Sequence, residues 1–580
     1  MNCLDIQKRI HAWSMEPGFQ DELIAFLMAM CAVDTTPSPQ ISVMRDRENT
    51  VFDQIRDYLA STVCRLEPRS ISPEISAHPA FSLLHFTKTP ENPDGLSAEE
   101  VYRERGNLLA LIDPHAPVGP AQSDGAQVDG GQTDGAQGVA VNAHIDVIAP
   151  FFPPRREGDV MYGRGVIDDK GNVAAICGAL KIIDALIADG TVSLQGPITA
   201  MFPIEEETGG NGSLALALDT ELKHRYQSLL VMECADMGVY PANRGAVWFR
   251  SEARRIDATA DLSLVEAMAW GVLEMQQEGA RIKAESDHPL FPHRPVQTCN
   301  GILGPFGEHP SRINGRVEMF VGGVTSPESL KEIRAAVDQG IQLYVEQHGD
   351  KTQVLDQQTG QPKVVRHFHL KPDDQDRVHL TVYGSSGHMG SILEHDDAIL
   401  KWAYIVRQLV QSKLVAQQPW TLELVGYDAR QTLVLEGGQG FLPTHSIEAV
   451  QQRMADAFAR GMADYQSRIG RSADAVAVRT TFEKLHNAAY AGDPDSPSVQ
   501  HALWAAREAK TIDRDAPLRG WDVSCDARLF ANQYPQMPVI TSGVGMLACA
   551  HSNDEQLRLS ELWKTIEFCT LFLLRETGSL

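Results

Sequence analysis

The residues best suited to chemistry lie where a short apolar run ends, in the stretch VNAHIDV. This run is predicted to form a buried strand, and alternation along a strand places His144 and Asp146 on the same side. An imidazole with a carboxylate two residues away suits a metal ligand and its supporting acid. Asp168 and Asp169 follow in the stretch YGRGVIDDKG. The sequence therefore predicts a region rich in hard ligands for a divalent ion.

Further polar stretches follow predicted strands or lie in glycine-rich turns. The stretch IEEETGGNGS places three adjacent acids at a strand end before glycines, and another acid ends the apolar strand SLLVM. Histidines occur in the turn YGSSGHMG and in the stretch GVGMLACAHSNDE. These stretches contribute Glu205, Glu206, Glu207, Glu233, His388 and His551.

The elements that must position these residues alternate between strands and helices. Strands are predicted at residues 107–112, 138–148, 197–204 and 228–232, and helices at 18–33, 49–63 and 173–188. This alternation predicts an α/β sandwich with a largely parallel sheet, in which sites form beyond the carboxyl ends of the strands. His144, Glu206 and Glu233 all fall at or just after strand ends.

A weak internal repeat marks the middle of the chain. Between about residues 246 and 478, helix and strand patterns recur in two similar copies, which predicts an internally duplicated α+β unit. The predicted organisation is one domain in two parts, residues 1–246 and 479–580, interrupted by residues 247–478. A repeated Asp-Gly tract at 121–137 is predicted to be a surface loop.

Composition excludes several classes of protein. The formal net charge is −25 and no long basic run occurs, so nucleic acid is not an expected partner. Nine dispersed cysteines predict reduced thiols and a cytoplasmic location. The first residues lack the apolar core of a signal peptide. No window approaches about 18 uninterrupted apolar residues, so no membrane span is expected.

Taken in order, the motifs carry a family resemblance. The series H-x-D, G-R-G-x-x-D-D-K-G, E-E-x-G-G-x-G-S, E, G-x-x-G-H and A-H-S-x-D-E resembles the M20 family of di-zinc peptidases and amidohydrolases. That family includes aminoacylases, carboxypeptidases, dipeptidases, acetylornithine deacetylase and succinyl-diaminopimelate desuccinylase. The resemblance covers about residues 138–246, 383–399 and 520–563. It implies a zinc-peptidase-type sandwich, a metal-dependent hydrolase, and an enlarged inserted lid like that of monomeric family dipeptidases.

The resemblance also implies roles for individual residues. It implies two divalent ions that are bridged by one carboxylate. Zinc is the expected metal, and cobalt or manganese is the alternative. The implied metal ligands are His144, Asp168 (the bridge), Glu207, Glu233 and His551. The implied catalytic residues are Asp146, which orients His144, Glu206 as general base, and His388, which stabilises the oxyanion from the lid. Gly543 and Gly545 are implied to contact the substrate carboxylate.

Several assignments stay open at this level. The triple glutamate leaves the register of base and ligand open by one residue, although the following Thr-Gly-Gly favours Glu206 and Glu207. Glu233 is preferred to Asp236 as terminal ligand because it ends the strand. Glu205 is expected to be a solvated or helix-capping acid, and Asp169 a turn-stabilising residue. The glycines of the GVG stretch could serve only as a turn.

The expected substrate is a small peptide or an N-acyl amino acid, cleaved at its amide bond by a metal-activated water. Glu233 resembles the deacylase and carboxypeptidase branches, whereas the long lid resembles the dipeptidase branch, so the substrate stays open. Either a monomer or a homodimer is compatible with the resemblance. The alternatives are a non-catalytic relative that binds metal or ligand, and a hydrolase of a non-peptide C–N bond. The sequence shows no loss of the base or of a ligand.

Overall fold

The computed structural model divides the chain into two compact units. Unit 1 comprises Met1–Asn243 and Tyr490–Leu580, and unit 2 comprises Arg244–Ala489. The described residues are 3–114, 138–256, 262–304, 312–313, 315–324, 326–355, 361–362, 364–373, 376–385, 387–388, 396–416, 420–482 and 486–580. The loop predicted at 121–137 lies outside them.

Helices and strands follow one another through both units. The helices are α1 (Cys3–Ser14), α2 (Pro17–Cys31), α3 (Ile41–Leu59), α4 (Ala98–Tyr102), α5 (Lys170–Ala188), α6 (Asn211–Leu218), α7 (Thr220–Lys223), α8 (Leu264–Glu285), α9 (Pro327–His348), α10 (Ala398–Ala416), α11 (Ile447–Arg468), α12 (Pro497–Glu508), α13 (Ala527–Gln533) and α14 (Leu559–Glu576). Serine side chains cap α8, α9, α11 and α12 by accepting a backbone N–H three residues later.

The described strands range from two to eleven residues in length, and the two longest lie in unit 2. They are β1 (Arg65–Ser70), β2 (Gly106–Ile112), β3 (Val139–Asn142), β4 (Arg155–Glu157), β5 (Val160–Tyr162), β6 (Ile198–Phe202), β7 (Ser228–Met232), β8 (Ala242–Asn243), β9 (Gly245–Arg255), β10 (Thr298–Leu303), β11 (Arg312–Ile313), β12 (Arg316–Gly322), β13 (Phe368–Asp373), β14 (Arg377–Tyr383), β15 (Gly387–His388), β16 (Thr421–Leu424), β17 (Thr432–Phe441), β18 (Val476–Thr481), β19 (His486–Asn487), β20 (Tyr490–Ala491), β21 (Val539–Ser542) and β22 (Gln556–Arg558).

The central sheet of unit 1 has the order β1-β2-β6-β3-β7-β21. The four strands β6, β3, β7 and β21 pair in parallel, whereas β2 pairs antiparallel with both β6 and β1. Every residue of β3, β6, β7 and β21 is buried, as expected for parallel strands covered on both faces. The predicted α/β class with a largely parallel sheet is therefore confirmed.

Apolar residues cover both faces of this sheet. Along β2, Leu108 and Ala110 belong to one hydrophobic cluster, whereas Leu109 and Leu111 belong to the other. The first cluster contains residues of α1, α2, α3, α5, α12 and α14, and the second contains residues of α6, α7 and α13. Alternate side chains thus face opposite helical layers, which is the predicted sandwich.

Helix α5 lies in the first of these layers. In the described part of the chain, it is the helix that is long and apolar enough to cross a membrane by length and composition. Most of it is buried inside unit 1, and it packs against α2 and α14. Its apolar character is that of a core helix.

Besides the short pair β11 and β15, the described part of unit 2 contains two larger sheets of equal topology. One has the order β10-β17-β9-β18 and carries α8 and α11, and the other has the order β13-β14-β12-β16 and carries α9 and α10. In chain order each set reads β-α-β-β-α-β with the strand order 2-3-1-4 and antiparallel pairing, a ferredoxin-like arrangement. The second set is inserted between β10 and β17 of the first.

This nesting differs from the tandem repeat expected from the sequence. The two predicted copies cut across the sheets, because β10 of the first copy pairs with β17 of the second and β12 pairs with β16. Strand pairing also places the boundaries of the inserted unit at different residues from those predicted. A boundary at residue 478 would divide β18, which pairs with β9, so the insertion extends from Arg244 to Ala489.

Candidate metal centre

Two groups of potential ligands gather beyond the carboxyl ends of the parallel strands of unit 1. His144, Asp168 and Glu233 form the first triad, and Asp168, Glu207 and His551 form the second. Within each triad the ligand atoms lie within 4.8 Å of one another. These are the five residues predicted as metal ligands, and the structure brings them together around a shared aspartate.

His144 presents one ring nitrogen to the first triad. Its Nδ1 lies 3.0 Å from the backbone oxygen of Asp146, which can only accept, so Nδ1 carries the proton. Nε2 then holds a lone pair and lies 3.3 Å from Asp168 Oδ1 and 3.6 Å from Glu233 Oε1. This buried nitrogen makes no hydrogen bond among the described residues. A lone pair facing two carboxylates fits a cation between them.

The second triad uses the other oxygen of the shared aspartate. His551 Nε2 lies 3.1 Å from Asp168 Oδ2 and 3.1 Å from Glu207 Oε2. Asp168 therefore offers Oδ1 to one triad and Oδ2 to the other. This arrangement suits a carboxylate that bridges two ions.

The three adjacent glutamates separate into three environments. Glu207 belongs to the second triad, and Glu206 is half-buried. Glu205 is buried, not solvated as expected, because its carboxylate accepts from the Arg105 guanidinium and from Tyr102 Oη at 2.7 Å. The structure thus brings Glu207 to the centre, and Glu205 is excluded from the triads.

Asp146 does more than the predicted orientation of a histidine. Its Oδ1 lies 3.4 Å from His144 Nδ1, and its two oxygens accept the backbone N–H groups of Glu206 and Glu207, each at 3.1 Å. One carboxylate therefore links the end of β3 to the turn that contains residues 205–207, which we call the glutamate turn.

A buried ion pair joins the loops that carry Asp168 and His551. Arg164 Nη1 donates to Glu555 Oε2 at 2.6 Å, and Glu555 Oε1 accepts the N–H groups of Gly165, Ile167 and Asp168 at 2.9, 3.1 and 3.3 Å. Sequence reasoning did not assign either charged residue. The signal was present, since both lie inside the quoted motifs.

Asp169 also holds backbone in place. Its carboxylate accepts from the His144 backbone N–H at 3.1 Å and from Asn172 Nδ2 at 2.6 Å. The peptide bond that joins it to Asp168 is cis. Asp169 is absent from both triads found among the described residues.

The two glycines expected at the substrate are closely packed, Gly543 against the backbone of Glu233 and Gly545 against the side chain of Ile167. Both are buried and have φ angles of 144° and 111°. A Cβ on Gly543 would lie 2.3 Å from the backbone oxygen of Glu233, and a Cβ on Gly545 would lie 2.4 Å from the Cβ of Ile167. Close packing thus accounts for glycine at both positions, and substrate contact stays a prediction.

The two candidates for the terminal acid ligand, Glu233 and Asp236, lie in different environments. Glu233 follows β7 directly and is buried in the first triad. Asp236 lies in the following loop, is exposed and belongs to neither triad. The geometry therefore favours Glu233.

His388 lies in unit 2, where its backbone pairs with Arg312 as part of β15 and β11. Its side chain is outside the described residues. The oxyanion role of His388 therefore stays a prediction.

The centre contains more carboxylates than histidines, and the pKa values of these buried acids are shifted from their usual range. Burial alone would raise the pKa of Asp168, but the neighbouring rings of His144 and His551 lower it below its usual range. Burial raises the pKa of Glu207 to about 7, against the attraction of His551. Burial and the charges of Asp526 and Glu233 raise the pKa of Glu206 well above its usual range. Divalent cations would balance this excess of buried acid.

Comparison of the sequence with known proteins gives several relatives that are named probable carboxypeptidases. A probable carboxypeptidase of Aspergillus fumigatus is 29% identical over 20% of this chain and 28% of its own length. A probable carboxypeptidase of Neosartorya fischeri is 26% identical over 41% of this chain and 54% of its own length. This chain thus spans about half the length, or less, of the curated relatives that it matches.

Solved structures show the same fold over nearly the whole chain. Human carnosine dipeptidase 1 has a TM-score of 0.52 at 12% identity and covers 99% of this chain and 100% of its own. A dipeptidase of Saccharomyces cerevisiae has a TM-score of 0.53 at 13% identity and covers 99% of each chain. The family model described as peptidase family M20/M25/M40 matches residues 140–575, a span that includes both triads and unit 2. This chain belongs to peptidase family M20/M25/M40.

Proposed function

We propose that this protein is a two-metal hydrolase that cleaves an amide bond in a small peptide or an N-acyl amino acid. The observation that carries the proposal is the pair of triads that share Asp168, one oxygen in each. Family membership and the carboxypeptidase and dipeptidase names of the relatives support peptide-bond hydrolysis.

The residues of the two triads would hold two ions. Each triad supplies one imidazole nitrogen, one terminal carboxylate and one oxygen of Asp168, a nitrogen and oxygen set that suits zinc and also cobalt or manganese. Divalent ions held there would acidify a water and polarise the scissile carbonyl.

The chain's own residues would move the proton and fix the geometry. Glu206, adjacent to a ligand and half-buried, would take a proton from the attacking water and deliver it to the leaving nitrogen. Asp146 holds the turn that presents Glu206 through two backbone hydrogen bonds. His388 is proposed, on the family resemblance alone, to stabilise the oxyanion.

The test combines metal analysis with a substrate screen. Dialysed protein should retain close to two ions per chain, and zinc, cobalt or manganese should support cleavage of some dipeptides or N-acyl amino acids. His144→Ala should lose metal and activity, whereas His11→Ala, an exposed histidine of α1, should lose neither. A His144→Ala variant with full metal content would contradict the proposal.

A further inference from the structure

A buried charged cluster adjoins the glutamate turn. We call it the Arg105 cluster: Glu48, Tyr102, Arg105 and Glu205. Arg105 donates from Nε and Nη2 to the two oxygens of Glu48 at 2.7 and 2.6 Å, and from Nη1 to Glu205 Oε1. Tyr102 Oη donates to Glu205 Oε2 at 2.7 Å. All four side chains are buried.

Two carboxylates and one guanidinium leave this cluster with an excess negative charge. Removal of charges from water is costly, and a buried ion pair is weak evidence for stability. The contact with Glu48 uses Nε and Nη2 in two parallel hydrogen bonds, and Nη1 of the buried arginine donates to Glu205. The bond to Glu205 helps to satisfy the guanidinium, but the choice of a carboxylate from the glutamate turn as its partner calls for a further reason.

The position of Glu205 supplies that reason. Its φ angle of 68° lies in the left-handed region. This conformation costs a non-glycine residue free energy and persists only where the surrounding contacts hold it. Arg105 and Tyr102 hold its side chain, and Asp146 holds the next two backbone N–H groups. The turn is thus fixed on two sides just before Glu207.

Chemistry also requires that the three glutamates not be interchangeable. Three adjacent carboxylates could compete for the same ion, since each is a suitable ligand. The guanidinium binds the first of them, and Glu207 lies 3.1 Å from His551. The pairing with Arg105 thus keeps Glu205 from competing with Glu207 for the ion.

We propose that Arg105 is a positioning residue, which acts through Glu205 to hold the turn that presents Glu206 and Glu207. This inference rests on the proposed function, since it assumes that Glu207 binds metal. It assigns a role to residues about 100 positions apart in the chain, none of which belongs to either triad.

The test uses two variants that each remove one carboxylate from the same arginine. Glu205→Ala removes the anchor of the turn, whereas Glu48→Ala removes the partner on the far side and leaves the anchor in place. Zinc affinity is measured on purified protein by competition with a chromogenic chelator, with thermal unfolding as the measure of stability. Loss of a residue that supports a ligand costs about 10–100-fold in metal affinity.

We expect both variants to unfold at lower temperature. Glu205→Ala should also weaken binding of one zinc ion by about 10–100-fold, whereas Glu48→Ala should stay within about threefold of the original protein. On a cleaved substrate, Glu205→Ala should lower kcat more than it changes KM. Should either alanine variant fail to fold, Glu205→Gln and Glu48→Gln provide the same comparison, with the same ranking expected.

The outcomes separate this inference from the proposed function. Equal zinc affinities for the two variants, in a protein that binds zinc, would overturn the positioning role and leave the metal centre standing. Failure of the unaltered protein to bind zinc, cobalt or manganese would overturn both.

Discussion

The two triads share Asp168 but are held in place by different means. In the first, His144 lies two residues after β3, Glu233 directly follows β7, and the side chain of His144 is 2% exposed. In the second, Glu207 and His551 lie on turns, and the side chain of His551 is 15% exposed. His551 itself has a φ angle of 59°. The sheet positions one pair of ligands, and loops position the other.

Loops need additional support to hold a ligand, and the structure shows where it comes from. The Arg105 cluster holds the turn before Glu207, and the pair of Arg164 with Glu555 joins the loop of His551 to that of Asp168. The first triad relies on strand ends, where hydrogen bonds of the sheet fix the backbone. We therefore expect the second triad to be the more sensitive of the two to remote substitutions.

The largest effect is expected where two adjacent acids are compared. Glu206→Gln should lower kcat by about two to four orders of magnitude and keep both ions, because it removes only the residue proposed as general base. Glu207→Gln should first lose one ion. Measuring both kcat and metal content for the two variants distinguishes the base from the ligand. If Glu207→Gln keeps both ions and Glu206→Gln loses one, the register is shifted by a residue.

The next effect compares the two histidines. His144→Ala and His551→Ala should each weaken binding of one ion by more than about 100-fold, since each removes a direct ligand. During dialysis against a chelator, His144→Ala should lose its remaining ion, held by the loops, faster than His551→Ala loses the ion held at the strand ends. Equal rates of release would remove the distinction between the two triads.

A smaller distinction concerns the acid at the end of β7. Glu233→Gln should lose one ion, whereas Asp236→Asn should keep both, because only Glu233 approaches His144 and Asp168. Metal analysis of both purified variants decides the matter. Loss of an ion from Asp236→Asn alone would transfer the ligand role to the following loop.

The sequence located the residues of the centre where periodicity and order along the chain carried the information. Buried runs at β3 and β7 predicted strands, and a parallel sheet places the residues after them at one edge, which accounts for His144 and Glu233. Glu207 and His551, on turns, were found through the family resemblance. The Thr-Gly-Gly after the triple glutamate favoured Glu206 and Glu207 over Glu205 as base and ligand.

What sequence reasoning missed depends on contacts between distant segments. Glu205 was expected to be a solvated or helix-capping acid because its partner, Arg105, lies 100 positions earlier and carries no local signal. The same holds for the nested modules of unit 2, since the repeat was visible but strand pairing was not. Positive φ angles at Gly543 and Gly545 are likewise set by packing against Glu233 and Ile167.

The last comparison is between the two ends of β7, and it concerns stability alone. Glu233 follows the carboxyl end, whereas Ser228 begins the strand and donates to Glu576. Glu576 also accepts from Ser498 Oγ at 2.8 Å and lies 2.6 Å from His501 Nδ1. Burial alone would raise the pKa of Glu576, but these hydrogen bonds lower it below its ordinary value of 4.5.

A folded-state pKa below the unfolded one means that Glu576 stabilises the protein above about pH 4.5 and that this stability is lost as pH falls through the folded pKa. Glu576→Gln should therefore lower the free energy of unfolding by about 1.5–3 kcal/mol at pH 7. The difference should shrink in more acidic solution. Denaturant unfolding at several pH values measures it, with the exposed Glu221→Gln as control, expected to change stability by less than about 0.5 kcal/mol. Both variants should keep their metal, because this end of β7 lies away from the ligands; metal loss in Glu576→Gln would show that the two ends of the strand are coupled.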